Sequence, residues 1–366
     1  MNILVANIGS TSFKYRVFGS EHQILAQGRA ERVTDFGAAI RTCMKEIEHI
    51  PISAVGFKAV HAGPLTGAQI VDEKVLAAME RCSFFAPAHN PPYIAAMRSF
   101  ARELPNTPLV ALFETAFFQN IPDAATAYAV PFEWAQKHGV RRYGFHGASH
   151  RAASERAQQL MGRTDIRHIS CHLGGSSSLA AIRSGVAIDT SFGMSPQCGL
   201  PQSNRTGDLD VFAALYVMER EGYTPSQMAD ILGSQSGLAG MSGTSGDMRD
   251  LDNAAASGSA RAQLAIDHFV YAVRRYIGSF LVVLGGVDIL TFSGGIGENS
   301  PGLRARICAN LEEFDITLDA ARNEEARSEA WISEIRSRVR VQIVPADEER
   351  IVATATAEAL RGVHAH

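Results

Sequence analysis

Residues 3–14 read ILVANIGSTSFK, an apolar run followed at once by a glycine, small hydroxyl side chains and a lysine. Residues 169–178 read ISCHLGGSSS and repeat the apolar run, the glycine and the hydroxyl side chains of this pattern, without the lysine. In each stretch, glycine permits a tight turn whose backbone N–H groups face a ligand, and the hydroxyls can donate to phosphate oxygens. Either turn alone is more often a simple Gly/Ser hairpin. Two of them in one chain predict two phosphate-binding loops and favour a phosphoryl-transfer enzyme.

Strand and helix patterns alternate along the rest of the chain, which is typical of α/β layers. The β-rich runs lie at 2–7, 12–18, 54–60, 108–113, 167–172, 178–183, 287–293 and 339–344. Helical patterns lie near 36–49, 73–82, 92–103, 147–161, 208–220, 248–256, 261–284, 301–312 and 347–361. Each half opens with a strand, a glycine-hydroxyl turn and a second strand, which predicts two related domains facing a common cleft. The length of 366 residues also favours two cores over one.

Composition excludes several classes of protein. With 46% hydrophobic and 20% charged residues, the chain resembles soluble globular proteins. A formal net charge of −4 gives no reason to expect nucleic acid or an anionic membrane as a partner. No apolar run approaches the roughly 20 residues that cross a bilayer. Five dispersed cysteines without a CxxC pair favour reduced thiols over disulfides or a zinc site. We therefore expect a cytoplasmic protein without a nucleic-acid or membrane partner.

Further polar residues are suited to an anionic ligand. His146 lies between glycines at the predicted start of a helix, where it can donate to an anion. Arg205 lies in a polar loop, and a guanidinium can bind a carboxylate or phosphoryl group. Residues 291–300, TFSGGIGENS, follow an apolar strand and precede a helix, as at a nucleotide-binding edge. The plainer interpretations are a helix cap, a solvated arginine and a strand-to-helix turn.

Two carboxylates stand at the ends of apolar strands. Glu114 follows the run at 108–113, and Glu348 follows the run at 339–344. Acidic side chains at such positions suit magnesium or an acceptor group in a cleft. Glu348 has an equally simple interpretation as a first-turn acid that stabilises a helix dipole.

Taken in order, these motifs resemble those of the acetate kinase family, within the superfamily of sugar kinases, heat-shock chaperones and actin. Residues 86–92 (APAHNPP), 137–147 (KHGVRRYGFHG) and 249–252 (RDLD) also look like the family's. The resemblance covers nearly the whole chain. It implies transfer of the γ-phosphoryl group of ATP to a short-chain carboxylate, giving an acyl phosphate and ADP, with Mg²⁺ or Mn²⁺.

The same resemblance implies the architecture. It predicts two duplicated ribonuclease-H-like (actin-like ATPase) domains with mixed β-sheets flanked by helices, and a homodimer. The implied domains are 1–117 with 350–366, whose last helix returns to the first domain, and 118–349, which binds the nucleotide.

The resemblance also assigns roles position by position. Asn7 and Glu348 would organise the metal ion, and Glu114, His146 and Arg205 would form the catalytic group. The acceptor would bind near Lys58, Val60, Ala88 and Pro196. The nucleotide and its phosphates would contact Ser10, Ser12, Lys14, His172, Leu173, Gly174, Gly175, Ser176, Asp247, Met248, Arg249, Gly295, Ile296, Gly297, Glu298 and Asn299.

The acceptor side departs from the family pattern. Lys58 stands where the family has arginine, although the chain has only five lysines among its 34 basic residues. Lysine keeps the charge but loses the bidentate fork that orients a carboxylate. Glu114 replaces aspartate, Ala88 replaces a leucine beside the acyl pocket, and Gly175 replaces asparagine. These changes predict an acceptor larger or more polar than acetate.

Two alternatives stay open at this point. The acceptor could be a hydroxyl compound, or the chain could be a nucleotide-binding regulator that has lost catalysis. The second alternative is motivated by changes at Lys58, Glu114 and Gly175, which are chemically engaged positions. The retained His146 and Arg205 favour an enzyme.

Overall fold

The computed structural model describes residues 1–9 and 12–363 of the chain. Ser10, which was predicted to line the phosphate path, lies outside the described residues. The chain divides into two compact units. Unit 1 comprises Met1–Gln119, Val130–Ala152 and Asp347–His366, and unit 2 comprises Asn120–Ala129 and Ala153–Ala346. The predicted domain boundaries, after residues 117 and 349, stay predictions.

The strands, in chain order, are β1 (Ile3–Ile8), β2 (Ser12–Phe18), β3 (Ile24–Glu31), β4 (Ala54–Ala59), β5 (Ala68–Ile70), β6 (Leu109–Phe113), β7 (Arg167–His172), β8 (Ser178–Arg183), β9 (Val186–Thr190), β10 (Ile289–Ser293), β11 (Ala330–Trp331) and β12 (Arg340–Ile343). The helices are α1 (Phe36–Glu46), α2 (Glu73–Arg81), α3 (Asn90–Glu103), α4 (Asp123–Thr126), α5 (Phe132–His138), α6 (Gly147–Met161), α7 (Val211–Glu221), α8 (Pro225–Ser234), α9 (Gly237–Ser242), α10 (Met248–Ala256), α11 (Ala260–Leu284), α12 (Gly294–Asn299), α13 (Pro301–Cys308), α14 (Ala320–Glu325) and α15 (Glu348–Val363).

The two units contain sheets of the same topology. In unit 1 the strand order is β3-β2-β1-β4-β6-β5, and in unit 2 it is β11-β12-β10-β7-β8-β9. Each sheet has an antiparallel three-strand meander, two strands that extend it in parallel, and an antiparallel strand at the far edge. The prediction of duplicated α/β domains with mixed sheets is therefore confirmed.

Helices cover both faces of the sheet in unit 1. On one face, Phe100 of α3 packs edge-on against Phe57 of β4, with ring centroids 5.3 Å apart. On the other face, Ile351 and Val352 of α15 join the apolar cluster that includes Val5 of β1. The final helix thus packs against the sheet of unit 1. Burial of these side chains is the main source of stability for such layers.

Unit 2 is built around the long helix α11. Ser259 caps its first turn by accepting from the Ala262 amide, and Gly285 ends it in the left-handed conformation at φ +67°. Phe269 and Phe280 of α11 are fully buried in the main cluster of this unit. Between residues 1–9 and 12–363, no helix is long and apolar enough to cross a membrane.

Arg304 is a buried charge in unit 2. Only 1% of its surface is exposed. Its guanidinium donates to the carbonyls of Gly297 and Glu298, each at 2.9 Å, and to both the side-chain and main-chain oxygens of Asn323. These hydrogen-bond acceptors are uncharged, and the charge of Glu324 adds to their stabilisation of the guanidinium. The arginine fixes the end of α12, the short helix that contains the predicted nucleotide loop.

We expect Arg304→Met to lower the free energy of unfolding by about 3 kcal/mol, because buried carbonyl groups would lose their donors. Thermal unfolding followed by circular dichroism measures the change. Arg306→Met is the matched control, since Arg306 lies on the same helix but is 40% exposed beside Asp267. Equal losses in the two variants would contradict a special role for the buried guanidinium.

Candidate active site

Three predicted site residues of unit 1 lie at one edge of its sheet. Asn7 is near the end of β1, Lys58 is near the end of β4, and Glu114 directly follows β6. Because these strands are parallel, their carboxyl ends meet at the same edge, where α/β proteins bind ligands. The Glu114 amide donates to the Ala59 carbonyl at 2.8 Å and so continues the pairing of the two strands.

Lys58, Glu114 and Glu348 form an ion cluster. The Lys58 ammonium donates to Glu348 Oε2 at 2.5 Å and lies 3.6 Å from Glu114 Oε1. Burial is the largest single influence and lowers the pKa of Lys58, but the effects of Glu348, Glu114 and Tyr93 together outweigh it, so its pKa lies above the ordinary value. Lys58 is therefore a permanent cation between two carboxyl groups.

The carboxyl group of Glu114 is the most unusual member of the cluster. Its side chain is only 4% exposed, and neither oxygen has a hydrogen-bond partner. Burial raises its pKa from 4.5 to about 7; the Lys58 ammonium opposes the rise and Glu348 adds to it. Buried polar groups nearly always have partners, so such a carboxyl group is typical of a site that accepts a ligand or ion.

Tyr93 is a site residue that our sequence analysis missed. It lies on α3 and is 2% exposed. Its hydroxyl accepts from the Ile8 amide at 3.2 Å and donates to Asn7 Oδ1 at 3.4 Å. Burial raises its pKa to about 12, so it stays protonated. Tyr93 therefore fixes the orientation of the Asn7 amide.

His146 has a strained backbone at the start of α6. Its φ is +60°, a left-handed conformation that is uncommon for a residue other than glycine and is frequent at functional sites. The next residue, Gly147, donates its amide to the Glu114 carbonyl at 3.0 Å. A Cβ atom on Gly147 would lie 2.2 Å from that oxygen, so this position requires glycine. The main chain thus places His146 beside Glu114.

The residues at this edge fit a divalent metal bound together with a phosphate ligand. Within the described ranges 1–9 and 12–363, no group of three or more His, Cys, Asp or Glu side chains could hold a metal ion alone. Mg²⁺ usually takes one or two carboxylates and completes its shell with water and substrate phosphates. The unpartnered oxygens of Glu114 and the nearby carboxylate of Glu348 provide the expected oxygen chemistry.

The other predicted residues of unit 1 surround the edge without joining the cluster. Lys14 is exposed and lies opposite Asn7 in the pairing of β1 with β2. Ser12, at the start of β2, is half-buried. Val60 is 8% exposed, whereas Ala88 is exposed.

In unit 2, the second glycine-hydroxyl turn is joined to the predicted nucleotide loop. The Leu173 amide donates to the Ser293 carbonyl at 2.8 Å, and the Leu173 carbonyl accepts from the amides of Ile296 and Gly297 at 2.9 and 3.0 Å. Gly294 has a φ of +77°, and a Cβ there would lie 2.6 Å from the Leu173 oxygen. The predicted loop is itself the short helix α12, and these bonds hold it against the turn.

Several predicted nucleotide residues have structural roles. The side chains of Leu173 and Met248 are buried in the hydrophobic core, so they could offer a ligand only main-chain atoms. Glu298 Oε1 accepts from the amides of Gly294 at 2.9 Å and Ala346 at 3.1 Å. Its carboxylate therefore connects the start of α12 with the end of unit 2.

Asp247 and Arg249 form an exposed pair at the start of α10. Asp247 caps the helix by accepting from the Arg249 amide at 2.9 Å, and the two side chains are 2.6 Å apart. Hydrogen bonds from Arg249 lower the pKa of Asp247 to about 2. The carboxylate is therefore charged at neutral pH and balances the neighbouring guanidinium. Asn299 is also exposed, and its amide donates to the Gly295 carbonyl at 2.9 Å.

Arg205 is held by uncharged side chains. Its Nη1 donates to Ser176 Oγ and to Gln202 Oε1, each at 3.2 Å. Among the residues that the structure describes, it forms no ion pair with a carboxylate. Burial lowers its pKa, but an arginine stays charged at any physiological pH. A half-buried guanidinium without an anion is an expected receptor for a carboxylate or phosphate.

Gln202 is a second residue whose role our sequence analysis missed. It is 1% exposed, and its Oε1 also accepts from Ser176 Oγ at 2.5 Å. Its Nε2 donates to the carbonyl of the buried Pro196 at 2.7 Å. One amide side chain thus connects the glycine-hydroxyl turn, a predicted acceptor residue and Arg205. The sequence indicated only that the loop before Arg205 is polar.

Gly175 and His172 complete the turn. Gly175 is exposed and has no left-handed backbone, and a Cβ there would meet Ser203 Oγ at 3.4 Å. A side chain is therefore sterically possible, and the glycine is not required by the fold. His172 Nδ1 lies 3.4 Å from Ser293 Oγ.

Comparison with known proteins identifies the family. The sequence profile of the Acetokinase family matches residues 35–354. The chain belongs to the acetokinase family. It is 37% identical to acetate kinase of Carboxydothermus hydrogenoformans over 394 aligned positions, covering 98% of this chain and 99% of that protein.

Solved structures of an acetate kinase and a propionate kinase agree with the fold. Acetate kinase of Porphyromonas gingivalis superposes with a TM-score of 0.89 at 35% identity. A propionate kinase of Francisella tularensis superposes with a TM-score of 0.91 at 30% identity. Each comparison covers 98% of this chain and 99% of the other.

The raised pKa of Glu114 predicts how the free energy of unfolding depends on pH. Its folded pKa is raised above that of an unfolded glutamate, so folding becomes less favourable as pH rises from about 4.5 to about 7. Glu114→Gln removes the free-energy cost of ionising this buried carboxyl group. We expect the variant to match the native chain at pH 4.5 and to be more stable by about 2 kcal/mol at pH 8.

Thermal unfolding at both pH values measures this difference, and Glu313→Gln, at an exposed position, is the control. If the stability gained by Glu114→Gln is the same at pH 4.5 and pH 8, ionisation of Glu114 does not destabilise the native chain and the prediction is wrong.

Proposed function

We propose that this acetokinase transfers the γ-phosphoryl group of ATP to a short-chain carboxylate and produces an acyl phosphate and ADP. The observation that carries the proposal is Arg205, a charged group held in place by Ser176 and Gln202 without an anionic partner in the described part of the chain. Membership of the family along nearly the whole chain supports the reaction class.

The proposed reaction is a direct in-line transfer. A carboxylate oxygen of the acceptor attacks the γ-phosphorus while the bond to the departing ADP oxygen breaks. The acceptor is already ionised, so no proton has to be removed. Negative charge spreads over the equatorial phosphoryl oxygens, and preorganised donors can stabilise it. We assign this role to Arg205 and His146, with Gln202 holding the guanidinium in position.

A divalent ion supports the same chemistry. Mg²⁺ or Mn²⁺, when bound, would neutralise phosphate charge. Asn7 and Glu348 would hold it, and Tyr93 would keep the Asn7 oxygen in one orientation. Lys14, opposite Asn7, is exposed and would line the phosphate path.

The acceptor is proposed to be larger or more polar than acetate. The Lys58 ammonium is engaged by Glu348, which limits its ability to orient a small carboxylate. Ala88 is exposed, and its side chain is smaller than a leucine, which leaves room for a larger acceptor. A polar group on the acceptor could also satisfy the buried oxygens of Glu114.

A homodimer and a cytoplasmic location also remain proposals. The exposed apolar side chains of α7 are consistent with contact to a second copy; Phe212 is 73% exposed and Val211 is 63% exposed. Apolar surface of this kind is enriched in interfaces between subunits.

Arg205→Ala should lower kcat by about 10³-fold, because the lost donor acts mainly on transition-state charge. The dissociation constant of ATP should change less than threefold, since Arg205 is assigned to the phosphoryl group in transfer and not to the bound nucleotide. Gln202→Leu should lower kcat by an intermediate factor, and it should have little further effect once Arg205 is absent. Steady-state kinetics and nucleotide titration measure these values. Equal losses in turnover and in ATP affinity would contradict this role.

An acceptor screen tests the reaction itself. Purified protein, ATP and Mg²⁺ are incubated with acetate, propionate, butyrate and hydroxylated acids, and ADP release is recorded with and without hydroxylamine, which traps acyl phosphates. We expect trapped product, with a larger or hydroxylated acid favoured over acetate. Ala88→Leu should shift the preference toward acetate. ADP release without trapped product would indicate a hydroxyl acceptor, and no release with any acid would contradict the proposed kinase.

A further inference from the structure

The ion pair between Lys58 and Glu348 joins two residues to which the proposed function gives different tasks. Lys58 lies in β4 and was predicted to face the acceptor, whereas Glu348 opens α15 and was predicted to hold the metal ion. In the structure the ammonium bonds to the Glu348 carboxylate at 2.5 Å, the shorter of its two contacts with carboxyl groups. The predicted metal ligand therefore already has a cation.

A divalent ion and the ammonium compete for the same carboxylate. Both side chains are largely buried, with exposed fractions of 21% for Lys58 and 17% for Glu348, so water screens their charges only partly. A dication placed at Glu348 while the ammonium stayed in contact would experience strong like-charge repulsion. This repulsion is smallest when the Lys58 ammonium moves away from Glu348.

Lys58 has a second hydrogen-bond acceptor within reach. Glu114 Oε1 is 3.6 Å from the ammonium, and neither oxygen of Glu114 has a hydrogen-bond partner. Lysine is a compact charge on a flexible stem, so rotation about its terminal bonds can move the ammonium over this distance. An arginine fork, with its fixed planar geometry, is less suited to such a transfer.

We propose that Lys58 is an internal counter-ion that occupies Glu348 until a divalent ion displaces it toward Glu114. The metal ion and Lys58 then exclude each other at Glu348, and metal binding releases the cation that faces the acceptor side. This inference rests on the metal role given to Glu348 in the proposed function. It makes Lys58 a positioning residue for the metal site as well as a residue that binds the phosphoryl acceptor.

Direct measurement of metal binding tests the proposal without relying on turnover. Mn²⁺ is titrated into the purified protein, alone and at saturating ADP, and free Mn²⁺ is followed by electron paramagnetic resonance. We expect Lys58→Met, which keeps an unbranched side chain one atom shorter but removes its charge, to lower the Mn²⁺ dissociation constant at least tenfold. Lys58→Gln should act in the same direction, and circular dichroism identifies any variant that fails to fold.

Arg16→Met is the matched control. Arg16 forms an ion pair with Glu349 at 2.8 Å, so this variant also removes one positive charge beside the first turn of α15. It should change the dissociation constant less than twofold. Equal tightening by Arg16→Met and Lys58→Met would show a general charge effect and overturn the proposal.

Glu348→Gln separates failure of this inference from failure of the proposed function. If this variant binds Mn²⁺ as tightly as the native chain, Glu348 is not a metal ligand, and the proposed metal site is wrong. If Glu348→Gln weakens binding but neither Lys58 variant tightens it, the metal site stands and the counter-ion role of Lys58 is wrong.

Discussion

Parallel pairing of β1, β4 and β6 is the constraint on which the candidate site of unit 1 depends. It brings the carboxyl ends of three strands to one edge, so that Asn7, Lys58 and Glu114 become neighbours although they are distant in sequence. The return of α15 to the same sheet then adds Glu348. Removal of charged groups from water at this edge makes their mutual contacts strong and raises the pKa of Glu114. The chemistry of the site thus follows from strand direction and burial together.

The sequence predicted the parts of the fold that have strong apolar patterns. Buried strands such as β1 and β10 stand out because most of their residues are apolar, and the two glycine-hydroxyl turns marked the duplication. The edge strands β3, β5, β9 and β11 were not predicted. The side chains of β3 are exposed or only half-buried, and β11 has two residues, so neither has a periodic apolar face. Pairing with a neighbouring strand, rather than the local sequence, creates them.

The sequence could name candidate site residues but not the contacts between them. Family motifs pointed to Glu114, His146 and Arg205, and the structure places each beside other polar groups. Motifs could not show that Lys58 bonds to Glu348, because these residues are 290 positions apart. Nor could they distinguish Glu298, whose carboxylate joins two main-chain amides, from a ligand to the nucleotide. Such roles depend on the direction of side chains, which a linear motif does not contain.

The position of α15 in the chain affects the order in which the protein can be completed during synthesis. Unit 1 begins with β1, but one face of its sheet is covered by side chains of residues 351–355. The ribosome makes these residues after all of unit 2, since the chain leaves unit 2 at Ala346. Until then, Val5 and its neighbours lack their apolar cover, and Lys58 and Glu114 lack Glu348. A nascent chain can therefore finish the arrangement around Arg205 first, and the ion cluster of Lys58, Glu114 and Glu348 forms only when synthesis of the helix is complete.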